Sequence, residues 1–317
     1  MNPDPYVYSR YNLGSRKWAR ETLDGFIPRC DRPRNILDVG CGTGEVTHLL
    51  AERFPKAKVV AVDKLPSMVQ YAKDQNSTDR IDFFVMDIQN NELTQDSWRN
   101  NFDFVFSFLC MQWVEDQLAA LRNIYSLTRP GGEALIVLGV KPSAAFLRLM
   151  KELKEHPRWK HYLENFSAMQ WNTSKNGLIR WRIPDPVSGY SNVVKDAGFT
   201  ILSAKTKEYE YVPDSDDRCR GMLEILLPHV RAIPEDNRQE FMDDVLELYM
   251  TFCPKTVDKR TIWTPTLLLV HCVKEMETAA MNNDRKEEQP STSQSKRKTF
   301  FLNFGPTCMN CCRGFDC

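Results

Sequence analysis

The feature of the sequence that most constrains the fold is a glycine-rich turn between a short apolar strand and an amphipathic helix. The strand covers residues 35–39, the turn reads D-V-G-C-G-T-G over residues 38–44, and the helix covers residues 46–54, where Pro55 ends it. Glycines in such a turn tolerate positive φ angles and let backbone N–H groups approach a ligand closely. The pattern therefore predicts a ligand-binding turn at the carboxyl end of a buried strand.

Strands and helices alternate along the chain after this turn. Apolar runs predict four further strands and two further helices, at residues 59–62, 81–86, 102–108 and 133–140, and at 67–75 and 116–127. Alternation at this spacing favours right-handed crossovers and a parallel sheet covered by helices on both faces. Residues 200–212 and 263–274 predict two more strands. We therefore predict an α/β fold with a doubly wound, seven-stranded and mostly parallel sheet.

Helical segments outside this core are predicted to form an arm and a lid. Residues 1–30 read as a polar arm and a helix, in which Trp18, Leu23, Phe26 and Ile27 recur at helical spacing. The tryptophan-rich segment 141–190 and the helical stretch 213–260 would cover a pocket. The candidate lining residues are Met150, Trp159, Phe166, Trp171 and Leu226. We expect residues 1–276 to form one domain.

The last 41 residues, 277–317, differ in composition from the rest of the chain. Residues 277–298 carry almost no apolar side chains, which is typical of disorder, and four of the ten cysteines follow at 308, 311, 312 and 317. A basic run, K-R-K at residues 296–298, and the cysteines are compatible with a weak membrane anchor acylated at Cys311 and Cys312. A zinc site lacks a second spaced cysteine pair. We favour a disordered extension and predict no metal site.

The charge balance argues against a nucleic-acid partner. The chain has 42 Lys and Arg against 42 Asp and Glu, whereas proteins that bind nucleic acids carry a basic excess or stripe. The amino terminus has no apolar segment typical of a secretory signal, and no apolar run approaches the roughly 20 residues of a membrane span. We expect a cytoplasmic protein with a small-molecule substrate, and the oligomeric state stays open.

The spacing of the glycines separates three classes of nucleotide-binding turn. The dinucleotide pattern G-x-G-x-x-G fails, because the third glycine comes one residue early and Glu45 follows it. The phosphate-binding loop fails as well, because no lysine follows Gly44. The remaining pattern, D-x-G-x-G-x-G, resembles the first motif of class I S-adenosylmethionine-dependent methyltransferases, which have a Rossmann-like fold.

This resemblance implies S-adenosylmethionine as the cofactor and assigns residues to it. The turn residues Gly40, Cys41, Gly42 and Gly44 would lie against the cofactor, with Asp38 organising the turn and the cofactor's ammonium group. Asp63 ends the second strand and would bind the ribose hydroxyls. The predicted cofactor-binding set is completed by Asp87, Ile88, Lys64, Met68 and Ser107.

A second resemblance is carried by residues 105–117, V-F-S-F-L-C-M-Q-W-V-E-D-Q, with A-L-R-N-I-Y-S-L at 120–127. Together with Y-S-R-Y-N-L at 8–13 and A-G-F at 197–199, this segment resembles the arthropod juvenile hormone acid O-methyltransferases. The resemblance implies methyl transfer to the carboxylate of an apolar isoprenoid or fatty acid. Such a carboxylate is already ionised at neutral pH, so the reaction requires no general base.

The same resemblance assigns three candidate catalytic residues. Trp113 matches a tryptophan whose indole N–H holds the substrate carboxylate, and that N–H can only donate. Ser15 occupies the position of a carboxylate-binding glutamine, and Arg16 beside it offers a charged donor. Two alternatives stay open: methyl transfer to an amine or hydroxyl, and a non-catalytic protein that binds a cofactor or a hormone-type ligand.

Overall fold

The computed structural model describes residues 4–90, 96–163 and 185–276. Contacts between Cα atoms divide the chain into two units, Met1–Met276 and Glu277–Cys317. All the described residues belong to the first unit. The predicted lining residues Phe166 and Trp171 and the predicted disordered tail lie outside the described residues.

In the described part of the chain, seven strands form one sheet in the order β3-β2-β1-β4-β5-β7-β6. The strands β1 to β5 pair in parallel, while β7 runs antiparallel to both β5 and β6. This arrangement confirms the predicted α/β fold with a mostly parallel sheet. The strand bounds are β1 Asn35–Val39, β2 Lys58–Asp63, β3 Ile81–Val85, β4 Phe102–Phe108, β5 Thr128–Lys141, β6 Thr200–Glu208 and β7 Thr266–Val273.

Helices cover both faces of this sheet. Alternate β1 side chains point to opposite faces, so Ile36 joins the cluster with α3 and the helices of the predicted lid, whereas Leu37 and Val39 join the cluster with α5 and α8. The helix bounds are α1 Pro5–Tyr11, α2 Leu13–Asp24, α3 Glu45–Arg53, α4 Pro66–Asn76, α5 Gln117–Leu127, α6 Ala144–Glu155, α7 Lys160–Leu163, α8 Pro186–Asp196, α9 Asp216–Leu226 and α10 Arg238–Phe252. None of the helices in the described ranges is long and apolar enough to cross a membrane.

Several element ends differ from the sequence prediction. The N-terminal helix ends at Asp24, and Ile27 is 85% exposed, so its inclusion in the apolar helix face was wrong. Phe26 instead turns inward and packs edge-on against Phe104 and Phe106. The helix α8 begins inside the predicted lid segment 141–190, but it packs against α5 and β6 on the sheet.

The order of the strands reverses at β1, which lies between β2 and β4. In parallel α/β sheets, the segments that follow the two strands at such a reversal diverge and leave a crevice at the carboxyl ends, where ligands bind. Asp38 in β1 is in register with Ala61 of β2 and Phe106 of β4, so the segments that follow these strands emerge at the same edge. The glycine turn and the segment after β4 therefore meet at this crevice.

Candidate functional site

The glycine turn has the left-handed backbone that its sequence predicts. Gly40, Gly42 and Gly44 have φ angles of 79°, 54° and 92°, a region that residues with a side chain rarely occupy. The backbone N–H groups of Gly40 and Cys41 both donate to the carbonyl oxygen of Val62, at 2.8 and 3.0 Å. These bonds fix the first half of the turn against the carboxyl end of β2.

The turn is walled on one side by the segment after β4 and on the other by the N-terminal arm. A Cβ atom added at Gly40 would lie 2.2 Å from both the Cβ and the Sγ atoms of Cys110. A Cβ added at Gly42 would have the Cε1 atom of Tyr8 as its described neighbour, at 3.5 Å. Only glycine fits at position 40, whereas the arm side of the turn leaves more room.

Two carboxylates lie beside the turn, at the ends of β1 and β2. Asp38 is 1% exposed and accepts a hydrogen bond from Thr47 Oγ1 at 2.7 Å. Burial raises the pKa of Asp38 to about 7, the nearby Asp63 adds to the rise, and the Thr47 hydrogen bond opposes it. Asp63 accepts backbone N–H bonds from Gly42 at 3.0 Å and Leu65 at 2.9 Å, and burial raises its pKa as well.

The predicted cofactor-binding residues Asp87 and Ile88 follow β3. The Asp87 carboxylate accepts hydrogen bonds from the backbone and side-chain N–H groups of Gln89, at 3.2 and 3.0 Å. Ile88 is buried, and its carbonyl oxygen accepts a hydrogen bond from the side chain of Asn123 in α5, at 2.7 Å. Both residues lie at the same edge of the sheet as the glycine turn, because β3 runs parallel to β2, and the Asn123 side chain of α5 holds the backbone of Ile88.

The other three predicted cofactor residues differ in exposure. Lys64 is exposed just after β2, and Met68 is buried on α4. Ser107 is fully buried in β4, and its hydroxyl donates to the carbonyl oxygen of Val39 at 3.0 Å. This hydrogen bond joins β4 to the end of β1, directly before the glycine turn.

The N-terminal arm is tied to the turn through Glu45, the first residue of α3. The hydroxyls of Ser9 and Thr43 both donate to the Glu45 carboxylate. Arg16 Nη2 lies 3.2 Å from Glu45 Oε1 and also donates to the Ser9 carbonyl, while Arg16 Nε donates to Asn12 Oδ1 at 2.9 Å. The guanidinium predicted to bind the substrate is therefore directed at Glu45 and the arm.

Sequence reasoning used Glu45 only to reject a dinucleotide turn and gave Tyr8 no role. Burial raises the pKa of Tyr8 to about 12, and the neighbouring Glu45 and Asp63 add to the rise. The predicted Ser15 is half-buried in α2, one residue before Arg16. A signal for the arm contact existed in the sequence: an acidic residue at the start of α3 and a basic residue in the arm.

Trp113 ends a short 3₁₀ helix, Met111–Trp113, that follows β4 directly. It is half-buried, and its backbone N–H donates to the carbonyl oxygen of Cys110 at 2.8 Å. Cys110 is the residue that contacts Gly40, so Trp113 lies one 3₁₀ turn along the chain from the glycine turn. The structure therefore brings the predicted catalytic tryptophan to the crevice between β1 and β4.

The two thiols beside the turn hold their protons at neutral pH. Burial raises the pKa of Cys110 to about 12 and that of Cys41 well above its usual range, and the carboxylates of Asp38 and Asp63 add to both shifts. A thiol acts as a base or nucleophile only as the thiolate. Cys41 and Cys110 therefore serve as wall residues of the site.

The residues around the turn fit S-adenosylmethionine. The buried Asp38 offers a carboxylate to an ammonium group. The two Asp63 oxygens accept backbone N–H groups from Gly42 and Leu65, and a carboxylate has further lone pairs that can accept from a ribose hydroxyl. The turn itself presents backbone close to a ligand without a phosphate-binding lysine, which suits a cofactor that has no pyrophosphate.

Comparisons with known proteins agree with this fit. A family model described as a methyltransferase domain matches residues 36–132, from β1 into β5. A juvenile hormone acid O-methyltransferase from Bombyx mori is 28% identical over 216 residues, which cover 67% of this chain and 73% of that protein. Another from Drosophila melanogaster is 28% identical over 257 residues, covering 77% and 82%. The chain is a class I S-adenosylmethionine-dependent O-methyltransferase.

The methyltransferase resembles the juvenile hormone acid O-methyltransferases, as the residues after β4 predict, and S-adenosylmethionine is its cofactor. It is also similar to a trans-aconitate 2-methyltransferase from Deinococcus radiodurans, with 28% identity over 254 residues that cover 76% of this chain and 87% of that protein. The acids that appear in the names of these relatives differ in polarity.

We expect the affinity of the methyltransferase for S-adenosylhomocysteine, which carries the same ammonium group, to rise between pH 6 and pH 8. The Asp38 pKa of about 7 means that its carboxylate forms over this range. The expected gain in affinity is roughly tenfold. The ionised fraction of Asp38 rises by about this factor from one pH unit below its pKa to one pH unit above it. Calorimetric titration at several pH values measures this gain.

Asp38→Asn provides the control, because its affinity should be lower and should not change in this pH range. The ligand-free enzyme should show the opposite trend in its free energy of unfolding. A raised carboxyl pKa stabilises the folded state fully below the unfolded value of 3.8, and this contribution is lost as the pH rises through about 7. An affinity that stays flat in the unmodified enzyme would contradict the Asp38 assignment.

Proposed function

We propose that the methyltransferase esterifies the carboxylate of an apolar isoprenoid or fatty acid, of the juvenile hormone acid or farnesoic acid type. The observation that carries this proposal is the set of side chains at the glycine turn: two thiols and a phenol, beside the carboxylates of Asp38 and Asp63, which the proposal assigns to the ammonium and ribose groups of the cofactor. Cys41, Cys110 and Tyr8 all have raised pKa values, so they hold their protons at neutral pH. An alcohol or ammonium acceptor needs a base, whereas a carboxylate arrives ionised.

The chain then has to orient the acceptor rather than activate it. S-adenosylmethionine supplies a methyl group that its sulfonium already activates. Alignment of the reacting atoms alone contributes up to roughly 7–11 kcal/mol to catalysis. In this proposal Trp113 donates its indole N–H to one carboxylate oxygen, because it is half-buried at the crevice and can only donate.

The arm residues have different roles in the proposal. Ser15 is half-buried on α2 and offers a second, shorter donor to the carboxylate. The Arg16 guanidinium is engaged with Glu45, so we assign it to holding the arm over the turn. Tyr8, which reaches Gly42, closes the site on that side.

Apolar side chains of the predicted lid support an apolar substrate. The helices α6, α9 and α10 share one buried cluster, to which Met150 and Leu226 are partly buried neighbours. These two remain candidate lining residues. Trp159 has no exposed surface and donates its indole N–H to Asp244 at 2.7 Å, so we assign it to the core.

The experiment that tests the proposal combines labelled S-adenosylmethionine with a panel of acceptors. The panel contains farnesoic-type and fatty acids, small polar polyacids, and the alcohols and amines that match the apolar acids in chain length. We expect methyl esters of the apolar acids and no product from the alcohols or amines. Turnover of the polar acids alone would replace the apolar substrate with a polar one. Binding of S-adenosylhomocysteine without any product would favour a non-catalytic protein.

A further inference from the structure

The segment between β4 and α5 is held by a buried amide, that of Gln117. This side chain is 6% exposed at the first residue of α5, and its Nε2 group donates to the carbonyl oxygens of Met111 and Val114, at 2.5 and 2.9 Å. These two carbonyls flank Gln112 and Trp113 in the chain. One side chain thus binds the backbone on both sides of the predicted catalytic tryptophan.

Tyr190 of α8 fixes the orientation of this amide. The Tyr190 hydroxyl donates to Gln117 Oε1 at 3.0 Å, and both side chains are buried. Burial raises the pKa of Tyr190 far above its usual value, so the hydroxyl keeps its proton and remains a donor. Because the amide oxygen accepts this hydrogen bond, its NH₂ group must face the Met111 and Val114 carbonyls.

The same segment has a strained backbone and is held from β5 as well. Leu109 has a φ angle of 53°, which is unfavourable for a residue with a side chain. Its N–H donates to the Val137 carbonyl at 2.7 Å, and Gln112 Oε1 accepts the Gly139 N–H at 3.2 Å. Strained residues persist where the surrounding contacts over-determine the conformation, and such sites often serve function.

We propose that Gln117 is a positioning residue for the methyl transfer and that Tyr190 holds it in place. The amide fixes residues 111–114 so that the Trp113 indole N–H meets the acceptor carboxylate. This inference rests on the proposed role of Trp113. Neither Gln117 nor Tyr190 touches the substrate; both act through the backbone of this segment.

The test compares Gln117→Leu, which keeps much of the side-chain bulk and removes the amide, with the unmodified full-length enzyme. We expect kcat to fall by about 10- to 100-fold, since misplacement by about 1 Å can cost that much. The affinity for S-adenosylhomocysteine should change by less than about threefold. Tyr190→Phe should lower kcat less, by about 3- to 10-fold, and serves as the second variant if Gln117→Leu does not fold.

A double-mutant cycle shows whether the effect passes through Trp113. In a Trp113→Phe background, Gln117→Leu should lower kcat by less than about twofold further, because residues that act as one unit are not additive. Asn35→Leu is the matched control: its amide binds Asn101 at the opposite end of β1, at 3.2 Å, and its loss should leave kcat unchanged. Full additivity, or equal losses of kcat and cofactor affinity, would overturn the proposal.

Hydrogen exchange keeps this inference separate from the proposed function. In Gln117→Leu, amides of residues 109–114 should exchange faster, while those of residues 36–44 should keep their protection. If the unmodified enzyme esterifies no acid but the exchange changes as expected, the proposed function fails and the anchoring by Gln117 stands. Unchanged exchange in residues 109–114 would show that Gln117 does not hold this segment.

Discussion

Gly40→Ala should abolish measurable binding of S-adenosylhomocysteine. The methyl-transfer activity of the enzyme should be lost as well. The added methyl group would lie 2.2 Å from two atoms of Cys110, at a φ angle of 79° that alanine rarely adopts. The turn or the segment after β4 would have to move, and both line the cofactor site. We expect a loss of affinity of at least about 100-fold, measured by calorimetry, since a displaced turn loses several contacts at once.

Gly25→Ala is the matched control for this change. Gly25 has a φ angle of −90°, and its added Cβ would make ordinary contacts at 3.6 and 3.8 Å. Its affinity for S-adenosylhomocysteine should stay unchanged. Combining Gly40→Ala with Cys110→Gly removes both clashing atoms and should restore part of the affinity. If Gly40→Ala alone bound the ligand normally, the contact with Cys110 would not shape the site.

Trp113→Phe should lower kcat by about 100-fold while the affinity for S-adenosylhomocysteine changes by less than about twofold. The phenyl ring keeps most of the bulk but removes the N–H that orients the carboxylate, and a misaligned acceptor costs about this much. The measurement is steady-state turnover of the acid that the acceptor panel identifies, together with calorimetry.

Trp98→Phe provides the comparison for loss of an indole elsewhere in the protein. Trp98 is 6% exposed and packs edge-on against Phe84 and Phe102, on the sheet rather than at the crevice. This change should lower the melting temperature at most and leave kcat unaltered. An unchanged kcat in Trp113→Phe would remove Trp113 from its proposed role and favour another donor, such as Ser15.

Local sequence signals predicted the strand ends and the acids on them because each signal is short-range. An apolar run followed by Asp38 and glycines, or closed by Asp63, indicates a buried strand that ends at a ligand-binding edge. The ends of helices and strands were predicted less accurately where tertiary contacts decide them. Ile27 repeats the helical period, yet α2 ends before it because Phe26 packs onto β4.

Side-chain partners could not be predicted, because they depend on residues far apart in the chain. Arg16 looked like a donor for a carboxylate substrate, and the structure pairs it with the Glu45 carboxylate instead. Trp159 looked like a pocket residue, and it is buried with its N–H on Asp244. Arg16 was predicted as a donor and its acceptor lies in another segment, whereas Trp159 was predicted only as a lining residue and its hydrogen-bond partner lies in α10.

By itself, the sequence determined the parallel sheet and the glycine turn, because hydrophobic period and glycine spacing act within a few residues, and the resemblance of that turn to class I methyltransferases indicated the class of cofactor. Only the tertiary structure decided how the segments around the turn meet. It placed Cys110 beside Gly40 and Tyr8 beside Gly42, and it bound the Gln117 amide to the backbone of residues 111–114. The first two contacts join positions far apart in the chain, and the Gln117 amide is oriented by Tyr190 of α8, so packing between distant segments selects all three.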